Sequence, residues 1–136
     1  MLVVDDTPQI RMLLRVNLEL EGAVVTEASD GGECLRLLAD LRASGRPLPH
    51  VVTLDALMEP VDGWSTAAAI RRDPALAHLP LVMITASVQA HHQQRAAAVG
   101  VDAFIAKPFD PHAVLEVVRG YVGGRRAGGP RLPFDG

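Results

Sequence analysis

The sequence alternates five short apolar runs with five segments of helical character, and this alternation constrains the fold more than any other feature. The runs are rich in Val, Leu and Ile, and they show little polar alternation. Such runs are typical of parallel strands whose two faces are both covered. They lie at residues 2–5, 23–28, 50–55, 80–86 and 102–106. Strands that alternate with helices predict an α/β fold, a parallel sheet with helices on both faces.

The segments between the runs carry the start and stop signals of helices. The predicted helices are residues 7–22, 29–45, 63–72, 88–99 and 110–121. Thr7 followed by Pro8 is a typical helix start, and Asp110 followed by Pro111 is another. Gly22 is expected to end the first helix. These signals support five strand–helix units, with no internal repeat.

Size and composition limit the class of protein. A chain of 136 residues that is 49% hydrophobic suits one domain, which we predict at 1–122, followed by a flexible Gly/Arg/Pro tail at 123–136. No apolar run reaches the length of about 18 residues that a membrane span needs. No secretory signal is visible, so we expect a cytoplasmic protein without a membrane partner. The formal net charge of −3 argues against direct nucleic-acid binding. The single cysteine, Cys34, is expected to be a small core residue.

Polar residues lie at the carboxyl ends of four of the five predicted strands. The first strand ends in Asp5-Asp6, the third in Asp55 and the fourth in Thr85, and the fifth runs into Lys107. Ligands of open α/β sheets bind at the carboxyl ends of the strands, near a topological switch point. In a flavodoxin-like strand order of 2-1-3-4-5, the first and third strands are neighbours at that point. Three carboxylates, a hydroxyl and an ammonium are therefore expected to share one pocket.

These residue types suit phosphoryl transfer. Close carboxylates repel one another, and a hard divalent ion such as Mg²⁺ relieves that repulsion while accepting a phosphate oxygen. Asp55 is the candidate nucleophile, and the ion and Lys107 would neutralise the charge of the group in transfer. Lys107 is the single lysine among 13 basic residues, which suggests that its position requires a point charge rather than a guanidinium. Each residue alone also fits a helix cap or a solvated charge.

Four motifs are spread over residues 1 to about 122: VVDDTP at 3–8, LD at 54–55 followed by DG at 62–63, ITA at 84–86 and GVDAFIAKPFD at 100–110. Together they resemble the receiver domain of two-component response regulators, in the CheY-like superfamily. Their order and spacing make the resemblance specific. The resemblance implies that Asp55 accepts the phosphoryl group. It also implies a Mg²⁺ site formed by Asp5, Asp6, Asp55 and the backbone carbonyl of Leu57.

The resemblance further implies a conformational switch and its partners. Thr85 and Lys107 would contact the phosphoryl group, and Thr85 and Phe104 would form the switch, the aromatic ring turning inward. A histidine kinase or a histidine phosphotransfer protein would be the donor. A downstream protein would bind the surface of the fourth helix, fifth strand and fifth helix, and dimerisation there stays open. Such a domain promotes only its own phosphorylation and dephosphorylation, so it is not an enzyme with a separate substrate.

One loop departs from the family pattern. Met58 stands in its usual place, but Glu59 follows it and Pro60 comes one position later, while Asp62 and Gly63 keep their spacing from Asp55. Glu59 is expected to face water. The apolar Leu57 stands where relatives often carry a polar residue, and we hypothesise that it restricts attack by water on the acyl phosphate.

Two other functions remain open from the sequence. A haloacid-dehalogenase-like phosphohydrolase also uses an Asp at a strand end together with Mg²⁺. That family needs a second carboxylate two residues after the nucleophile, and Leu57 occupies that position here. The other alternative is a receiver-like scaffold that is never phosphorylated, which the altered Glu59–Pro60 turn keeps open and the complete set of site residues disfavours.

Overall fold

A computed structural model describes residues 1–86 and 90–121, and over these ranges five strands and five helices alternate. The strands are β1 (Leu2–Val4), β2 (Thr26–Ala28), β3 (Val52–Leu54), β4 (Leu81–Thr85) and β5 (Ala103–Ala106). The helices are α1 (Pro8–Leu20), α2 (Gly31–Ala43), α3 (Gly63–Arg72), α4 (Ala90–Ala98) and α5 (Pro111–Arg119). The predicted tail at 123–136 lies outside the described residues.

The strands form one parallel sheet in the order β2-β1-β3-β4-β5, which confirms the predicted topology. Val4 pairs with Ala28 on one side and with Leu54 on the other. The residues that follow Val4 and Leu54 therefore leave the sheet at the same level. This register brings the ends of β1 and β3 together at the carboxyl edge.

Helices cover both faces of the sheet and enclose two cores, as predicted. On one face, buried residues of α2, α3 and α4 pack on alternate strand residues such as Val4. On the other face, α1 and α5 pack on the intervening ones, such as Val3. Cys34 is buried in the first core, as expected, and burial raises the pKa of its thiol to about 12. Among residues 1–86 and 90–121, no helix is both long and apolar enough to span a bilayer.

The helix starts mostly follow the expected capping chemistry. The carboxylates of Asp30, Asp62 and Asp110 accept backbone N–H groups at the starts of α2, α3 and α5. Thr7 occupies the position before α1, but within the described chain its side chain makes no capping bond. Its hydroxyl instead approaches Asp6 at 3.4 Å. The first turn of α1 is thus coupled to the acidic loop that precedes it.

β2 is shorter than the predicted run at 23–28. Ala23 donates its N–H to the carbonyl of Leu18 at 3.1 Å, so it belongs to the terminal turn of α1. Gly22 makes this reversal with φ of +91°, a conformation that glycine adopts without a Cβ penalty. Pairing with β1 therefore begins only at Thr26.

Candidate functional site

Three carboxylates meet at the carboxyl edge of the sheet. One oxygen each from Asp5, Asp6 and Asp55 lies within 4.8 Å of the others. Asp5 and Asp55 are only 2% and 6% exposed, whereas Asp6 faces solvent. Asp5 and Asp55 follow adjacent strands, and the pairing of β1 with β3 therefore fixes their proximity. All three donors are hard oxygen ligands, and the exposed side leaves room for water, so this set fits Mg²⁺.

Lys107 links two of these carboxylates. Its Nζ donates to Asp5 Oδ2 at 2.7 Å and to Asp55 Oδ2 at 3.0 Å. Its backbone N–H donates to the carbonyl of Thr85 at 2.9 Å, which anchors the loop after β5. Burial alone would lower the pKa of Lys107, but the hydrogen bonds and charges of Asp5 and Asp55 outweigh burial and raise it above 10.5. Lys107 is therefore a cation at neutral pH and offsets the repulsion within the cluster.

Asp55 is held from its backbone and from both carboxylate oxygens. Its N–H donates to the carbonyl of Val4 at 3.0 Å, an extension of the β1–β3 ladder. Its Oδ1 accepts the N–H of Leu57 at 3.1 Å, while Oδ2 accepts Lys107. The backbone of Leu57 thus lies beside Asp55, and the residue is 53% exposed. The role of the Leu57 carbonyl as a metal ligand stays a prediction.

The start of α3 rests directly on the backbone that carries Asp55. Gly63 donates its N–H to the carbonyl of Ala56 at 2.9 Å. A Cβ at Gly63 would collide with the Asp55 carbonyl oxygen and would lie 2.9 Å from Ala56 Cα. The Asp62–Gly63 pair therefore does two separate things: Asp62 caps the helix, and Gly63 allows the helix to approach the site.

Thr85 and Phe104 lie on neighbouring strands. Phe104 pairs with Met83, and both side chains belong to the core beneath α2, α3 and α4. Since side chains alternate along a strand, Thr85 lies on the same face as Met83 and Phe104. Thr85 is fully buried, and Phe104 is 3% exposed, so its ring is in the inward position. The structure thus brings the two predicted switch residues together on one face, and their switching stays a prediction.

The unusual loop after Asp55 divides into a buried and an exposed part. Met58 is buried in the core beneath α2 and α3. Glu59 and Pro60 are exposed, as expected for Glu59, and the peptide bond that joins them is cis. The changed residue order therefore alters the solvent side of the loop and leaves its packing side in place.

Sequence reasoning did not single out Arg11, which contacts the acidic loop. Its Nη1 donates to the backbone carbonyl of Asp5 at 2.7 Å, and its Nε donates to Glu27 at 3.2 Å. The sequence signal is slight, because an arginine in the second turn of an amphipathic helix is normally read as a surface charge.

A second unforeseen feature lies at the opposite edge of the sheet. Arg71 forms a 2.8 Å ion pair with Asp102, which is fully buried just before β5. Arg71 also donates to the backbone carbonyls of Gly100, Ala77 and Leu79. This cluster ties α3 to the start of β5, and it is far along the strands from the acidic pocket.

Comparison with known proteins decides the family. The sequence profile described as the response regulator receiver domain matches residues 1–119, nearly all the described chain. The chain belongs to this family. The receiver domain is 37% identical over 120 residues to an uncharacterized 14.6 kDa protein of Leptolyngbya boryana, covering 88% of this chain and 87% of that one. It is 34% identical to the DNA-binding transcriptional regulator RpaA of Synechocystis, covering 87% of this chain but 46% of the regulator.

Solved structures agree with this family and with the fold. The chemotaxis protein CheY4 of Vibrio cholerae superposes with a TM-score of 0.78 at 27% identity, covering 89% of this chain and 96% of that one. A signal receiver domain of a histidine kinase from Syntrophus aciditrophicus gives a TM-score of 0.80 at 25% identity, with 98% and 97% covered. A receiver domain is a signalling module. Because one relative is named as DNA-binding and is matched over less than half its length, the expected absence of nucleic-acid contact stays a prediction.

Proposed function

We propose that this receiver domain accepts a phosphoryl group on Asp55 from a phosphohistidine of a histidine kinase or a histidine phosphotransfer protein. The observation that carries the proposal is the double contact of Lys107, which bonds both Asp5 and Asp55 within a cluster of three carboxylates. A cation fixed in this way beside a buried Asp suits a site that receives additional negative charge.

The proposed transfer is a substitution at phosphorus. A carboxylate oxygen of Asp55 forms the new P–O bond while the P–N bond to the donor imidazole breaks. The bonding electrons stay on that nitrogen, and the imidazole, protonated by water at its other nitrogen before transfer, leaves as the neutral ring. Lys107 already touches Asp55 and would contact the phosphoryl oxygens once they are attached. Thr85, at the end of β4, would donate its hydroxyl to the same group.

Asp5, Asp6 and Asp55, with the backbone carbonyl of Leu57, would hold the Mg²⁺ ion. When bound, Mg²⁺ supplies positive charge that neutralises the phosphoryl oxygens during transfer. Asp5 is fixed by Lys107 and by the N–H of Thr7, which donates to Asp5 Oδ1 at 2.9 Å. Asp6 is exposed and would contribute one carboxylate oxygen.

Binding of a downstream protein would depend on a change in the side-chain positions of Thr85 and Phe104. Movement of Thr85 towards the phosphoryl group would alter the packing space beside Phe104, because both lie on one face of adjacent strands. The surface of α4, β5 and α5 would then favour a downstream protein or a second copy of this domain. In this view phosphorylation shifts the population of two arrangements, which requires a difference in free energy between them.

The two rival functions fit the site less well. A phosphohydrolase of the haloacid-dehalogenase type needs a carboxylate at Leu57, whose side chain is apolar and exposed. A scaffold that is never phosphorylated does not require a lysine, 16% exposed, that bridges two buried carboxylates, because such an arrangement costs desolvation free energy.

Phosphorylation with a small-molecule donor tests the proposal. Incubation with acetyl phosphate and Mg²⁺ is expected to add one phosphoryl group, measured by intact mass spectrometry, and Asp55→Asn is expected to abolish the addition. Asp62→Asn is the matched control, because Asp62 lies in the same loop but serves as a helix cap, a role that Asn also fills. Equal labelling of Asp55→Asn, or no labelling of the wild-type chain, would overturn the proposal.

A further inference from the structure

Arg11 connects the acidic loop to two elements of the fold. It projects from α1, and its two hydrogen bonds reach the Asp5 carbonyl after β1 and the Glu27 carboxylate on β2. The same Glu27 accepts a second bond, from Arg15 Nη1 at 2.9 Å. The Arg11 side chain is only 18% exposed, whereas Arg15 is 46% exposed. The Arg11 side chain is therefore largely enclosed and bonded at both ends of its guanidinium, whereas Arg15 contacts the same Glu27 carboxylate from the solvent side.

The Asp5 carbonyl that Arg11 holds belongs to the peptide unit between Asp5 and Asp6. Because this unit is planar, a bond to its carbonyl also fixes the direction in which the chain enters Asp6. Other contacts already hold Asp5, since its N–H donates to the carbonyl of Ala28 at 3.2 Å and Lys107 holds its carboxylate. The exposed Asp6 carboxylate depends more on the direction of its backbone.

We propose that Arg11 is a positioning residue that orients the Asp5–Asp6 loop for Mg²⁺, an inference that rests on the proposed function. The guanidinium acts through the peptide unit and touches neither the ion nor the phosphoryl group. Removal of a group that hydrogen-bonds to a metal ligand and orients it typically lowers metal affinity by about 10- to 100-fold.

Two possible roles of Arg11, as a nearby charge or as a group that positions the loop, predict opposite changes in Mg²⁺ affinity when Arg11 is removed. If Arg11 acted only as a nearby cation, its removal would make the pocket more negative and would strengthen Mg²⁺ binding. If Arg11 positions the loop, its removal weakens Mg²⁺ binding despite the gain in negative charge. A merely structural role would lower the unfolding temperature and leave the Mg²⁺ affinity of the folded protein unchanged.

A titration of the whole chain with MgCl₂ alone, followed by backbone amide NMR shifts, separates these cases. We expect Arg11→Met to raise the Mg²⁺ dissociation constant by about 10-fold, the lower end of the range for such groups. Arg11→Lys keeps the charge but not the planar fork, and its affinity should lie between those of Arg11→Met and the wild type. Arg15→Met is the matched control, since it removes the other partner of Glu27 and should bind Mg²⁺ like the wild type.

The outcomes distinguish failure of this inference from failure of the proposed function. Unchanged or tighter Mg²⁺ binding by Arg11→Met overturns the positioning role, and so does equal weakening in Arg15→Met. If Arg11→Met does not fold, Arg11→Gln serves as the neutral variant with the same expected direction. A wild-type chain that binds no Mg²⁺ overturns the proposed function and this inference with it.

Discussion

Replacing Gly63 by alanine tests the close packing of α3 on the acceptor loop. The added Cβ would collide with the Asp55 carbonyl oxygen and lie 2.9 Å from Ala56 Cα. Both neighbours are backbone atoms of a buried segment, so neither can rotate away as a side chain could. The helix start must instead move, and this movement stretches the 2.9 Å hydrogen bond from Gly63 N–H to the Ala56 carbonyl.

The magnitude follows from these contacts. Overpacking of a well-packed interior by one methyl group costs about 1–3 kcal/mol, and rigid backbone neighbours place Gly63→Ala at the upper end, about 3 kcal/mol. For a domain of this size, that loss lowers the unfolding temperature by about 10 °C. Phosphorylation should also slow, because the shifted helix start strains the segment that carries Asp55 and so disturbs the contact between its carboxylate and Lys107.

Urea unfolding monitored by circular dichroism measures the loss, with Gly32→Ala as the matched control. A Cβ at Gly32 meets only side-chain atoms at its shortest distances, Asp30 Oδ1 at 3.1 Å and Arg36 Nη1 at 3.4 Å. These can adjust, and alanine favours the helix, so the control should stay within about 1 kcal/mol of the wild type. A Gly63→Ala variant as stable as that control would refute the packing argument.

Three further predictions concern charge and phosphoryl lifetime. The Asp55 carboxylate raises the pKa of Lys107, so Asp55→Asn should lower that pKa. The titration can be followed by ¹³C NMR after reductive methylation of Lys107, the single lysine of the sequence. An unchanged or higher pKa would contradict the contact. Leu57→Asn should speed loss of the phosphoryl group from Asp55, and an unchanged rate would remove the hypothesis that Leu57 restricts water. Asp102→Ala should cost about 3–5 kcal/mol in thermal unfolding, since it removes the buried carboxylate that forms an ion pair with Arg71. Glu116→Ala breaks an exposed pair and should cost less than about 1 kcal/mol, and similar losses in the two variants would contradict this reasoning.

The sequence was sufficient for the topology because local patterns determine it. Continuous apolar runs predict strands covered on both faces, and their alternation with helices predicts a parallel sheet; the order 2-1-3-4-5 comes from the flavodoxin-like fold, and the structure has it. The sequence was a weaker guide at the ends of helices and strands, where single backbone hydrogen bonds decide the boundary. Ala23 looked like a strand residue, yet its bond to Leu18 assigns it to the end of α1.

The same distinction applies to the candidate site. Asp5, Asp6, Asp55 and Lys107 could be predicted because each follows a strand, and parallel strands bring such positions to one edge. Arg11 could not be predicted, because its significance depends on which backbone carbonyl its guanidinium reaches. The pair of Arg71 and Asp102 could not be predicted from the sequence either, since the two residues lie 31 positions apart.

The hydrogen bonds of Lys107 have a consequence for how the domain is made. They join residues that lie 102 and 52 positions apart, so the pocket combines residues that follow β1, β3 and β5. Contacts of such long sequence separation form late in folding, and domains are synthesised from the N-terminus. On the ribosome, a chain that has been synthesised only as far as β4 contains Asp5, Asp6 and Asp55 but not yet Lys107. The acidic pocket can therefore be complete only after β5 has been synthesised and has joined the sheet.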